Sequence, residues 1–475
     1  MKRLWLIWVL LLVACGSQVS HDETIRFAVA QAPLNLDPRY ATDAASERVN
    51  RLIYQSLVDF DASSKPIPSL ASWVQSSPSE YRFNLTKERS PFHHHATLTA
   101  HDVKATYDSF LTLKNSPHAA EFSNIASIQV VNDDAVIFKL KQPDVHFPEK
   151  LIIGILPVEM IEKGHDFTHM PIGSGPLRFV SWGNKLVLQR VKDQQKIELL
   201  EVKDPTVRVL KLLRGEVDLL QGDLPQELVK YLQTKPDIKV ISNIGSNFSY
   251  LGFNFQDAQL KQPKVRQAIA HAIDRQAIIR LAMVQDTRAA TSVLPPEHYT
   301  SKSLPQYAYD PALARQLLKE AGVKLPLKLV YKTSTDAQRV RLATIMQAQM
   351  AAAEIDLEIR SLDWGTFFDD VKQGKFQLYG LTWVGINTPE IYSKAFASES
   401  FPPNGFNRGH FSDVELDELL AKEDWQAVTQ RIHKQLPYVP LWYEGQFAAM
   451  RQGIEHYLPA PNGNWDNLAT ITYAH

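Results

Sequence analysis

From Leu327 to Trp383 the hydrophobic pattern of the chain changes period again and again, and no other stretch restricts the fold so tightly. Leu327 to Tyr331 alternates as a strand does, Ala337 to Ala353 has helical spacing, and Leu357 to Leu362 alternates again. Trp364 to Gln373 then reads as a helix and Phe376 to Trp383 as a strand. The run predicts a βαβαβ layout, and hence an α/β half of the molecule. Two helices precede it. One opens at Pro263, with Val265, Ala268, Ile269, Ala272 and Ile273 on one face; the other starts at Asp310-Pro311 and ends at Gly322.

Upstream the pattern is mixed. Thr24 to Val29 alternates as a strand, and so do residues 81–86 and 134–140, with a helical stretch near 100–113 between the last two. These segments predict a small α+β unit. Pro171-Ile-Gly-Ser-Gly-Pro176 reads as a turn before strands at Leu177 to Ser181 and Lys185 to Val191. No internal repeat or low-complexity tract interrupts the 475 residues, a length that suits two or three domains.

The N-terminus carries a separate message. Lys2 and Arg3 precede an apolar run from Leu4 to Val13, then Ala14 and Cys15, the one cysteine of the chain. The run is shorter than the roughly 20 residues that span a bilayer, and small residues lead directly into the cysteine. This predicts a lipoprotein signal peptide at residues 1–14, lipidation of Cys15 and a polar tether at 15–23. The protein is then exported and held in the cell envelope by acyl chains, on the periplasmic face of a Gram-negative cell or the outer face of a Gram-positive one.

Composition excludes several functions. With Cys15 lipidated, the folded body has no thiol for a disulfide, a thiolate nucleophile or a metal site. Lysine and arginine number 51 against 52 acidic residues, so no polyanion-binding surface and no nucleic-acid partner are expected. Gly173-Ser174-Gly175 lacks the spacing of a nucleophile elbow, and no His-Glu-x-x-His motif occurs. We expect neither catalysis nor a cofactor. His93, His94 and His95 alternate faces in an extended stretch, which allows at most two of them to reach one ion. They are expected to form a solvated hairpin.

Six segments in order carry a resemblance. They are Leu34-Asn-Leu-Asp-Pro38, Arg51-Leu-Ile-Tyr-Gln-Ser-Leu57, Leu98-Thr-Ala-His-Asp-Val103, Ile172-Gly-Ser-Gly-Pro176, Leu213-Arg-Gly-Glu-Val-Asp218, and Tyr250-Leu-Gly-Phe-Asn-Phe255 leading into Val265-Arg-Gln-Ala-Ile269. Over residues 24–475 the chain resembles the family 5 extracellular solute-binding proteins, the peptide, dipeptide and nickel receptors of ABC importers. The resemblance implies a mixed α/β (α+β), two-lobed periplasmic-binding-protein fold with an inserted extra domain and a ligand cleft between the lobes. Domain I would comprise residues 24–42, 171–247 and 440–475, domain II the insertion at 43–170, and domain III, the closing lobe, residues 248–439. The expected partners are a peptide or other small solute, the ABC permease subunits and the membrane, with the receptor itself a monomer. Two other readings fit the same fold: a receptor for a metal chelate or oligosaccharide, and a scaffold or chaperone that no longer transports.

The resemblance also implies site residues. Thr42, Asp43 and Ala44 match a segment whose backbone lines the cleft in relatives. Trp383 matches a cleft-facing tryptophan, Trp442 is a second aromatic candidate, and Asn407 belongs to a loop of the closing lobe. Trp465 is expected in the core. Three positions after the tryptophan, peptide receptors carry an aspartate for the ligand's α-ammonium; here that position is Ile386. Losing one partner of a buried charge pair costs about 2–5 kcal/mol, so amine recognition at this place is expected to be absent, with Glu390 as the nearby acid that could replace it. Where dipeptide receptors use an arginine for the carboxylate, this chain has Lys332-Thr333.

Overall fold

The computed structural model describes residues 24–41, 43–113, 116–402 and 405–474. Two long strands, Ile238–Phe253 and Tyr438–Arg451, pair antiparallel along the middle of an eleven-stranded sheet. Phe248 to Phe253 and Tyr438 to Tyr443 are buried without alternation, as expected for strands covered on both faces. On one side of this pair the sheet continues through Leu378–Trp383, Leu327–Ser334 and Ile355–Leu362. On the other it continues through Leu219–Gln221, Ile25–Val29, Lys196–Glu201, Leu186–Arg190 and Leu177–Trp182.

The βαβαβ expectation holds. Leu327–Ser334 pairs in parallel with both Ile355–Leu362 and Leu378–Trp383. The connecting helices, Ala337–Ala351 and Trp364–Lys372, each begin at an aspartate whose carboxylate accepts a first-turn N–H: Asp336 from Arg339 at 2.9 Å and Asp363 from Thr366 at 3.1 Å. The helix opened by Pro263 stops earlier than its apolar spacing predicts, at His271. Asp274 caps a new helix, Arg275–Ala282, by accepting from Ala277 N at 2.9 Å. Ile273 is therefore buried in the turn between two helices.

The long strands are irregular where they cross between the sheet's two halves. The register slips between Asn243 and Asn247, and again between Ser249 and Tyr250. At the second slip Ser249 faces Trp442 and Tyr250 faces Pro440. Proline cannot donate to a ladder, and a bulge is where a sheet tolerates it. At the first slip Ser246 N leaves its partner strand and donates to Pro461 O at 3.0 Å. A Cβ on Gly245 would collide with the backbone carbonyl of Glu444, and one on Gly445 with the backbone of Gln285 to Thr287.

Each half has its own core. Leu251, Ile269, Leu329, Met346 and Trp442 are among the residues of one, and Phe27, Leu52, Leu188, Met450 and Trp465 among those of the other. A third core belongs to a separate four-stranded antiparallel sheet, Ala71–Ser77, Glu80–Leu85, Ala135–Leu140 and Ile125–Asn132. There Tyr107, on the helix Ala100–Thr112, meets Phe138 and Phe122 edge-on at 5.5 and 5.2 Å. Among the described residues no helix is long and apolar enough to cross a membrane.

Candidate functional site

Where the long strands cross, the two halves of the sheet face each other over a cavity of about 650 Å³. That lies within the roughly 300–1,000 Å³ of small-molecule sites. Arg48 and the segment Gln221 to Gln226 line one wall, and Tyr331, Thr333 and Asp336 to Arg339 the other; Asn247, Ser249, Trp442 and Glu444 of the long strands also border it. The site is thus built from both halves and from the strands that join them.

Glu444 stands in an otherwise uncharged run from Tyr438 to Met450. Its Oε1 accepts the Ser249 hydroxyl proton and that of Thr382, the latter at 3.0 Å. The two hydroxyls and the carboxylate come from three neighbouring strands in register, since Ser249 pairs with Thr382 on one side and with Trp442 of the Glu444 strand on the other. They fix the carboxylate without neutralising it.

Arg48 approaches from the helix Ala44–Ile53, with its guanidinium over the Trp465 ring at 5.4 Å from the centroid. Burial pulls its pKa down, opposed by the field of Asp223. Asn247 Oδ1 and Trp442 Nε1 are buried with no hydrogen-bond partner among the described residues. Each such group costs about 1–3 kcal/mol. Arg208, by contrast, is occupied: it donates to Val202 O at 2.7 Å and to Lys203 O at 3.0 Å.

The expected site residues fare unequally. Trp442 borders the cavity. Thr42 and the lipidation position Cys15 lie outside the described residues. Asp43 is the N-cap of the helix Ala44–Ile53, its Oδ1 accepting from Ser46 N at 2.9 Å, and Ala44 is the exposed first residue. From Ala44 onward the backbone is helical and cannot pair with an extended ligand, and the same helix brings Arg48 to the cavity one turn later. Neither Asp43 nor Ala44 borders the cavity.

Trp383 is on the strand Leu378–Trp383 but outside the cavity lining, which takes its neighbours Thr382 and Val384. Its ring stacks on Tyr250 at 6.4 Å, meets Phe406 edge-on at 5.9 Å, and has the Arg408 guanidinium above it at 5.0 Å. Ile386 packs half-buried against the same core. Asn407 is 1% exposed and spends its amide on its own loop, donating to Ala397 O and Phe411 O and accepting from Phe411 N. It holds the loop together.

The substitute groups are already engaged. Glu390 lies 3.3 Å from Lys150 Nζ and 3.7 Å from Lys394 Nζ, and Lys332 lies 2.6 Å from Asp370. Thr333, next to it, borders the cavity. Trp465 packs in the core as expected, 4% exposed and edge-on to Phe27. The histidines form a turn, and two of them are partly buried: His93 Nε2 bonds Gly175 O at 2.9 Å and His94 Nε2 bonds Glu159 at 2.7 Å. Burial lowers the His93 pKa. Among the described residues no three histidine, cysteine or carboxylate side chains converge as metal ligands.

Comparison with known proteins agrees with this architecture. The model of the family described as bacterial extracellular solute-binding proteins, family 5 Middle, matches residues 65–401. Glutathione-binding protein GsiB of Salmonella choleraesuis is 28% identical over 476 residues, which cover 92% of this chain and 92% of that protein. Heme-binding protein A of Haemophilus influenzae is 26% identical over 505 residues, covering 94% and 91%. The structure of the oligopeptide-binding protein AppA from Bacillus subtilis, in complex with a nonapeptide, superimposes with a TM-score of 0.79 at 22% identity, covering 95% of this chain and 99% of that one. The fold is the mixed α/β fold of periplasmic binding proteins.

Proposed function

The chain belongs to the bacterial extracellular solute-binding proteins, family 5, a family of binding proteins and not of enzymes, and on that premise we propose that it captures a peptide or related small solute by lobe closure and delivers it to an ABC permease. The reading rests on one observation above all: a cavity of about 650 Å³ is walled by both halves of the sheet and crossed by two long strands. A ligand shifts an open–closed equilibrium only by binding one state better than the other. Groups on opposite walls supply that difference, because they reach the ligand together only when the halves approach.

The domain plan of the sequence is part of the proposal: residues 24–42, 171–247 and 440–475 as the fixed lobe, 43–170 as the insertion and 248–439 as the closing lobe. So is the anchor, with Cys15 lipidated and the body held at the cell envelope. Native mass spectrometry of the mature protein tests the reading. A co-purifying solute should appear as a discrete mass increment at one-to-one stoichiometry and be lost on unfolding. Neither a bound solute nor compaction with any candidate solute would leave the scaffold reading in its place.

A further inference from the structure

Among the described residues no apolar core joins the segment 43–170 to the segment 248–439. The core around Tyr107 and Phe138 holds only residues of the first, and those around Leu329 and Tyr379 hold none of them. What joins the two is polar. Lys150 reaches Glu390 at 3.3 Å, Glu121 reaches Lys394 at 3.9 Å, His146 reaches Glu423 at 3.2 Å, and Tyr299 N donates to Ser63 O at 3.2 Å. None of these residues borders the cavity.

Each charge in this seam keeps a partner, or water, on its own side. Lys150 also holds Asp144 at 2.8 Å, His146 holds Glu149 at 2.7 Å, and His118 stands 4.0 Å from Glu121. Opposite them Glu390 and Lys394 face each other at 3.7 Å, and the Glu423 side chain is 46% exposed. Parting the two surfaces therefore strands no buried charge, the event that makes breaking an ion pair expensive. Pairs this exposed are weak singly and screened by salt, which suits a contact made and broken in each cycle better than a permanent joint.

We propose that the inserted domain latches the closing lobe, with Lys150, His146 and Glu121 taking Glu390, Glu423 and Lys394 as the lobe closes. The inference rests on the lobe division proposed above and gives the insertion a part in the motion. The six are positioning residues. They stand outside the cavity, yet by stabilising the closed state they raise the fraction competent to hold a solute, and apparent affinity scales with that fraction. The helix Glu390–Phe396 carries the effect inward, since it follows the strand Leu378–Trp383, where Thr382 and the next residue beyond Trp383, Val384, border the cavity.

The test reads the seam directly and needs no solute. In a full chain carrying Cys15→Ser, which removes the one native thiol, spin labels at the exposed positions Val74→Cys and Val414→Cys report the distance between insertion and lobe by pulsed dipolar spectroscopy. In the solute-free protein the ratio of long to short distances should rise about threefold or more when Glu390→Gln and Glu423→Gln are introduced together. Raising sodium chloride from about 50 to 500 mM should open the protein with natural seam residues in the same way. The double variant should respond less than half as much, through the remaining pair of Arg341 with Glu227. Labels at Val74→Cys and Leu111→Cys, both exposed and both within the insertion, should keep one distance throughout, which separates opening from unfolding. Distances that vary with salt, but equally in natural and variant seams, would overturn the latch and leave lobe motion standing. One fixed distance in both seams at every salt concentration would overturn the latch and the closure reading together, because the seam would then be a permanent joint.

Discussion

His146 Nε2 lies 3.2 Å from Glu423 Oε2, linking side chains 277 residues apart, one beside the four-stranded sheet and the other after the helix Val414–Ala421. Its Nδ1 bonds Glu149 at 2.7 Å, and that hydrogen bond, with the fields of both carboxylates, raises the His146 pKa to about 9 against the opposing effect of burial. Lys150 with Glu390 and Lys394 with Glu121 tie the same two regions at 3.3 and 3.9 Å. The inserted sheet and the proposed closing lobe therefore share a small ionic seam.

The seam has a pH signature. A histidine whose folded pKa is raised contributes stability fully present below its unfolded value, about 6.5, and loses it as pH rises through about 9. Between pH 6.5 and 9.5 urea unfolding of the natural protein should lose about 1–2 kcal/mol more than that of His146→Gln, a figure reduced for the exposure of Glu423. Parallel pH profiles would remove His146 from the seam.

Asn407 was expected at the ligand and is found bracing a loop. Asn407→Ala strips two buried carbonyls and one N–H of their partner, which should cost about 2–4 kcal/mol of stability. Ligand affinity of the folded fraction should stay within twofold. A large affinity loss without destabilisation would return Asn407 to the site.

Gly445→Ala should destabilise by about 1–3 kcal/mol, since its Cβ would press on the backbone of Gln285 to Thr287. Gly183→Ala, whose Cβ meets nothing within 4 Å, should stay within about 0.5 kcal/mol. Chemical unfolding of the two variants side by side measures the tightness of the strand crossing.

Cys15→Ser should abolish lipidation, with precursor accumulating or soluble protein released, while residues 24–475 still fold. Membrane fractionation and the mass of the N-terminal peptide read the outcome. A variant that stayed lipidated would refute the anchor.

Much of the fold is legible in the sequence because it is local. Each helix of the βαβαβ run begins at an aspartate, and the strands between them alternate, so period and cap agree. The long strands escape the same reading: burial on both faces erases alternation, and Pro440 argues against a central strand unless the bulge beside it is known. The site is less legible still, since Ser249, Thr382 and Glu444 meet only through sheet register, and Arg48 reaches the same cavity from a helix distant in sequence. One signal was available, the single carboxylate in the uncharged run from Tyr438 to Met450. Asp43 and Trp383 were placed by resemblance, which locates a segment but not the direction of its side chains; Arg48 and Thr382, a helical turn and one strand position away, border the cavity instead.

Small-angle scattering of the mature protein, with and without the solute it retains, tests lobe closure most directly. Saturating ligand should shrink the radius of gyration from its ligand-free value toward the roughly 23 Å expected of a compact chain this long. At a hundredfold excess over Kd the ligand should also add about 2.7 kcal/mol of stability. A ligand that stabilised the protein by that amount while leaving the scattering curve unchanged would contradict capture by closure.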